Sequence, residues 1–221
     1  MNTAGDGTSV EIKNIDIFAF ANTALFLLMC TFTYYDRFIQ FRGRGNLHEF
    51  LIYGAAILSA IAFLWASFRH SEFETSLLLW LQLGILAHFS GAFVEIDGGR
   101  LYDCTFFGLR FDKYVHFTNA FVGSMLVAAI FKSRGIRFGA LTSVITILTV
   151  LGLGAVVEII EYGVVQTVEH TGVGGYDNNM QDLIANLMGS LMCLMFLHMG
   201  TFLHQTKRHS QRVVAVDEEQ P

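Results

Sequence analysis

Six stretches of the chain run without a single Asp, Glu, Lys or Arg: Ile17–Tyr35, Phe50–Phe68, Thr75–Val94, Tyr114–Phe131, Phe138–Val157 and Leu183–Leu203. Each is close to the ~20 apolar residues with which a helix crosses the hydrocarbon core of a bilayer. The pattern predicts an all-α, polytopic membrane helix bundle with about six transmembrane helices. A polar N-terminal segment over 1–16 would precede a transmembrane domain over 17–204, and a mobile polar tail would occupy 205–221. The first residues, MNTAGDGTSVEIKNID, are acidic and polar where a secretory signal is basic and then apolar, so the first span reads as retained. The one proline is Pro221, which leaves no span kinked by proline. No internal repeat or low-complexity tract interrupts the pattern.

Composition agrees with a lipid environment. Only 15% of the 221 residues are charged, against about a quarter in an average soluble domain. Mean hydropathy is +0.48. Twenty-one Phe and eight Met suit a surface turned toward acyl chains, so membrane lipid is the expected partner. A net charge of -5 argues against nucleic acid as a partner. Cys30 and Cys193 fall in apolar runs, Cys104 falls in a polar connection, and no CxxC pair occurs, so neither a zinc knuckle nor a disulfide framework is indicated.

With six crossings, the connections after spans one, three and five share one side of the membrane. That side gathers the polar residues: His88 and Glu95 near the exit of span three, Asp112, Lys113 and His116 at the start of span four, Glu158 and Glu161 at the exit of span five, and Asp177, Asp182 and Asn186 ahead of or inside span six. Their spacing makes stripes. Asp112, His116, Asn119 and Gly123 advance by four, three and four, which is one face of a 3.6-residue helix. Gly84, His88, Gly91 and Glu95 make a second stripe, Gly154, Glu158 and Glu161 a third, and Asp182, Ala185 or Asn186, Gly189 and Cys193 a fourth. Small residues on the same faces allow close helix approach, so the stripes are expected to face one another.

A charge at the bilayer centre costs about 2.5–3.5 kcal/mol on insertion scales, and so many ionisable groups therefore need compensation. Three forms are open. The carboxylates can bind a metal, can share protons as a Glu158/Glu161 pair, or can pair with Arg100, Arg110 and Lys113 as a purely structural network. For a metal, His116 with Glu158, Glu161 and Asp182 suits divalent Zn, Mn or Fe, although the Glu-x-x-His repeats of di-iron bundles are absent. For acid and base chemistry the candidates are His116, Glu158, Glu161 and Asp112, with His88, Glu95, Lys113, Asp177, Asp182 and Asn186 as ligand-binding neighbours. The glycines of TGVGGYDNN (Gly172, Gly174, Gly175) mark a turn that is either a plain connection or a cover for this cluster.

FDKYVHF (Phe111–Phe117), VVEIIEYG (Val156–Gly163) and GYDNNMQDLIANLMGS (Gly175–Ser190), in that order, resemble the YjdF-like bacterial inner-membrane proteins. More distantly they resemble the VanZ-like family, with its Asp-Lys-x-x-His, Glu and Asp-x-x-x-Asn-x-x-Gly signatures. The resemblance covers the second half of the chain and rests on Asp112, Lys113, His116, Glu158 or Glu161, Asp182, Asn186 and Gly189. It implies a compact bundle in the bacterial inner membrane and, through the VanZ-like proteins, a link to glycopeptide resistance and envelope lipids. Two departures stand out: no basic residue precedes the Asp-x-x-x-Asn motif where VanZ-like proteins tend to carry Arg, and Cys193 replaces a common Gly. The basic residues flanking the spans divide eight to six in favour of cytoplasmic termini. Three functions are consistent with these residues: binding or modifying an envelope or lipid-headgroup ligand, transporting protons or small cations, and structural assembly. Whether the protein is an enzyme is left open.

Overall fold

The computed structural model describes residues 11–167 and 175–218, so Glu169, Gly172 and Gly174 lie outside the described residues. The chain divides into two compact units, Met1–Leu78 and Leu79–Pro221.

In the first unit, α1 (Asn14–Met29) passes through a π-helical turn at Cys30–Tyr34 into α2 (Tyr35–Arg42). Gly43, at φ +76°, ends this helix in a conformation that side chains rarely adopt. α3 (Leu47–Phe68) packs on α1. Asp16 fixes the pair near one end. It accepts a 2.7 Å hydrogen bond from the Trp65 indole and lies 3.4 Å from Arg69, whose guanidinium sits over the Trp65 ring at 4.9 Å.

The second unit takes in most of α4 (Thr75–Phe93), two small hairpins, α5 (Phe111–Ser133), α6 (Ala140–Thr167) and α7 (Tyr176–Glu218). The hairpins were not anticipated. β1 (Glu95–Ile96) pairs antiparallel with β2 (Gly99–Arg100), and β3 (Thr105–Phe106) with β4 (Leu109–Arg110). Each turns through two residues at positive φ, Asp97–Gly98 in the first and Phe107–Gly108 in the second, as tight hairpin turns require.

Helices Asn14–Gln40, Phe50–Phe68, Phe111–Ser133, Ala140–Gly163 and Tyr176–Gly200 are long and apolar enough to cross a membrane, and Thr75–Gly91 is apolar but shorter. The protein is therefore a mostly helical integral membrane bundle. Several helices outrun the spans drawn from charge-free stretches. α5 begins at Phe111, α6 continues to Thr167, and α7 begins at Tyr176 and extends to Glu218. A charge ends an apolar run but does not interrupt backbone hydrogen bonding, so helix and span boundaries differ.

Packing follows the small and polar stripes. On α6, Thr142, Thr146, Val150 and Glu158 are buried at four-residue multiples, while Leu141, Leu148, Leu153, Ile159 and Ile160 are exposed. On α7, Asp182, Asn186, Ser190, Cys193 and Leu194 are buried, while Ile184, Met188, Leu191 and Met195 are exposed. Large apolar side chains face outward, as lipid allows, and the interior holds small and polar groups. α5 and α7 make the most extensive contact, with α6 against both. At Gly189 a Cβ would run into the Phe117 carbonyl oxygen of α5, and at Gly154 it would lie 2.5 Å from the Asn186 amide nitrogen of α7.

Candidate functional site

The centre of the second unit is an ionic network between the start of α5 and the start of α7. Lys113 Nζ is 2.7 Å from Asp182 Oδ1, 3.1 Å from Asp112 Oδ2 and 2.9 Å from Asn178 Oδ1. Asn178 donates through Nδ2 to Asp182 Oδ2 at 2.8 Å, so Asp182 is held at both oxygens. His116, one turn after Asp112, brings Nε2 to 3.4 Å from the same Asp182 Oδ1.

Arg110 forms an outer layer. It donates to Asp103 Oδ1 at 2.7 Å and to Asn178 Oδ1 at 3.3 Å, and it lies 3.6 Å from Asp112 Oδ2. Arg100 also donates to Asp103, at 2.9 Å. Of the three cations expected to neutralise the carboxylates, Lys113 thus reaches the core while Arg100 and Arg110 are engaged by Asp103 at its edge.

Glu158 differs from the other carboxylates. It is 5% exposed, and among the described residues both of its buried oxygens are without a hydrogen-bond partner. Asp112 Oδ1, Asn186 Nδ2 and Ser190 Oγ share this lack of a partner. Ligand atoms from His116, Glu158 and Asp182 all lie within 4.8 Å of one another. Two ligands each ~2.1 Å from one metal ion are at most ~4.2 Å apart, so a 4.8 Å bound puts this set within about half an ångström of that limit. Among the described residues the buried charged groups, Asp112, Lys113, Glu158 and Asp182, comprise three carboxylates and one ammonium, a formal excess of two negative charges when all are ionised. One divalent cation or two protons would balance it.

The other residues expected at the site are arranged differently. Glu161 is half-buried, nearly one turn beyond Glu158, and is not in the group of three. The His88 ring, on α4, has Nδ1 2.6 Å from the Tyr102 hydroxyl, which donates to the His88 carbonyl at 2.9 Å. Glu95 lies beyond α4, exposed in β1 opposite Arg100, and Asp177 is exposed in the first turn of α7. Asn178, Asp103 and Tyr102 were missed. Asn178 had a legible signal, because it precedes Asp182 by four residues on the same helical face. Asp103 and Tyr102 had none, since their roles depend on the path of the connection between α4 and α5.

The family model described as "Predicted membrane protein (DUF2238)" matches residues 18–201. The chain belongs to this family. In this DUF2238 protein the match runs from α1 into α7 and takes in the whole Lys113, His116, Glu158 and Asp182 cluster. No curated protein and no solved structure matches the chain.

Proposed function

We propose that this DUF2238 protein binds an envelope or lipid-headgroup ligand at the cluster, with a divalent cation held by His116, Glu158 and Asp182 linking the protein to an anionic group. The observation that carries this reading is the buried Glu158 carboxylate, which has no hydrogen-bond partner among the described residues and lies beside an imidazole and a second carboxylate. Leaving such a group charged and unpaired is costly. A cation or a proton removes that cost. One nitrogen and two carboxylate oxygens are a donor set that suits Zn, Mn or Fe and leaves coordination positions for a ligand. Asp182 is fixed in place by Lys113 at Oδ1 and by Asn178 at Oδ2, as carboxylates around a metal site commonly are. In a catalytic version of this reading, Glu161 is the neighbouring carboxylate available to exchange a proton with the ligand. The resemblance to YjdF-like and VanZ-like proteins favours a bacterial inner membrane and an envelope lipid.

The same unpartnered carboxylate favours a second reading, in which Glu158 carries a proton and exchanges it with Glu161 in a transporter of protons or small cations. Elemental analysis of protein purified without chelators separates the two. Near-stoichiometric Zn, Mn or Fe that is lost in a folded Glu158→Gln variant supports the metal site. Metal-free protein of native thermal stability rejects it in favour of proton exchange.

A further inference from the structure

The two hairpins between α4 and α5 share one turn geometry but not one turn residue. Asp97–Gly98 turns the first at φ +53° and +79°, and Phe107–Gly108 turns the second at φ +50° and +82°. Asp tolerates that left-handed conformation, whereas a bulky aromatic residue there is an outlier. Phe107 is also fully exposed, with Leu109 53% and Phe106 40% exposed beside it. Neither the backbone nor water favours a phenyl ring at this tip, and no described residue covers it.

The surroundings identify the compensating medium. The base of the hairpin is fixed to the first turn of a spanning helix: the Tyr114 hydroxyl donates to the Phe106 carbonyl at 2.7 Å, and the Phe106 ring meets Phe111 edge-on at 6.1 Å. A tip anchored at the end of a membrane helix stands at the level of the lipid interface, where exposed aromatic side chains are stabilised. We infer that the Thr105–Arg110 hairpin is a membrane anchor whose Phe107 inserts into the lipid interface beside α5. Arg110, which closes the hairpin and contacts Asn178, is thereby held at headgroup level.

The test uses full-length protein in vesicles of phosphatidylethanolamine and phosphatidylglycerol. In a Trp65→Phe/Trp80→Phe background, Phe107→Trp is expected to emit at blue-shifted wavelength, to lose intensity to lipids brominated near their carbonyl ends, and to resist acrylamide. Asp97→Trp, in the equivalent turn, should remain open to acrylamide. Acrylamide quenching of Phe107→Trp equal to that of Asp97→Trp overturns the anchor. Protection from both quenchers also overturns it, and points to a protein partner or a second copy.

Discussion

Lys113 and Asp182 form an ion pair 2.7 Å long that ties the first turn of α5 to α7, with side chains only 5% and 2% exposed. Removing one partner of such a pair leaves a buried charge uncompensated, at a cost of about 3–5 kcal/mol. Lys113→Met is expected to destabilise the protein by about that amount, because Asp112 loses the same ammonium. The double variant Lys113→Met/Asp182→Asn should recover part of the loss. Thermal unfolding in detergent measures both, and a neutral Lys113→Met would mean that the pair contributes nothing to the fold.

Two isosteric changes should differ in sign. Asp112 Oδ2 accepts from Lys113 at 3.1 Å and faces Arg110 at 3.6 Å, so Asp112→Asn removes a paired charge and should cost ~1–3 kcal/mol. Glu158→Gln removes an unpaired charge from a site already rich in carboxylates. It should leave metal-free protein equally stable or more stable, while abolishing ligand binding. Unfolding curves for the two variants beside an exposed control, Leu148→Ile, read the signs directly. Destabilisation by both would favour a purely structural network.

The close approach of α5 and α7 depends on one missing side chain. A Cβ on Gly189 would collide with the Phe117 carbonyl oxygen and lie 3.1 Å from Ala120 Cβ, so the backbones must separate to admit it. Gly189→Ala is therefore expected to cost about 1–3 kcal/mol. Gly152→Ala, where nothing lies within 4 Å of the added carbon, should be neutral. Equal melting temperatures for the two variants would argue against the α5–α7 contact.

Topology is accessible through the native thiols. Cys104 lies between the two hairpins, whereas Cys193 is 1% exposed inside the bundle. With cytoplasmic termini and α4 crossing the membrane, Cys104 should react with an impermeant maleimide in intact cells, and Cys193 should not. Reaction of Cys104 only after permeabilisation would reverse the orientation.

Much of this protein was legible in one dimension because lipid imposes a simple rule on sequence. A helix must present about twenty apolar residues to cross, so the helical runs were visible as gaps between charges. The stripes of Gly with His, Asp or Glu were visible for a related reason: in lipid the interior is where small and polar groups go, and a 3.6-residue period aligns them. That was enough to bring Asp112, His116, Glu158 and Asp182 into one candidate cluster.

The sequence alone determined the membrane class, the helical runs and the inward faces, because these depend on local periodicity and on the solvent. Tertiary structure decided which charges meet. The path of the α4–α5 connection places Asp103 beside Arg100 and Arg110, and the closeness of α5 to α7 gives Lys113 to Asp112 and Asp182. Glu158 is left buried without a hydrogen-bond partner among the described residues. Pairing between charges falls off over a few ångströms, so it is fixed by how helices approach in space, and spacing along a chain does not encode that distance.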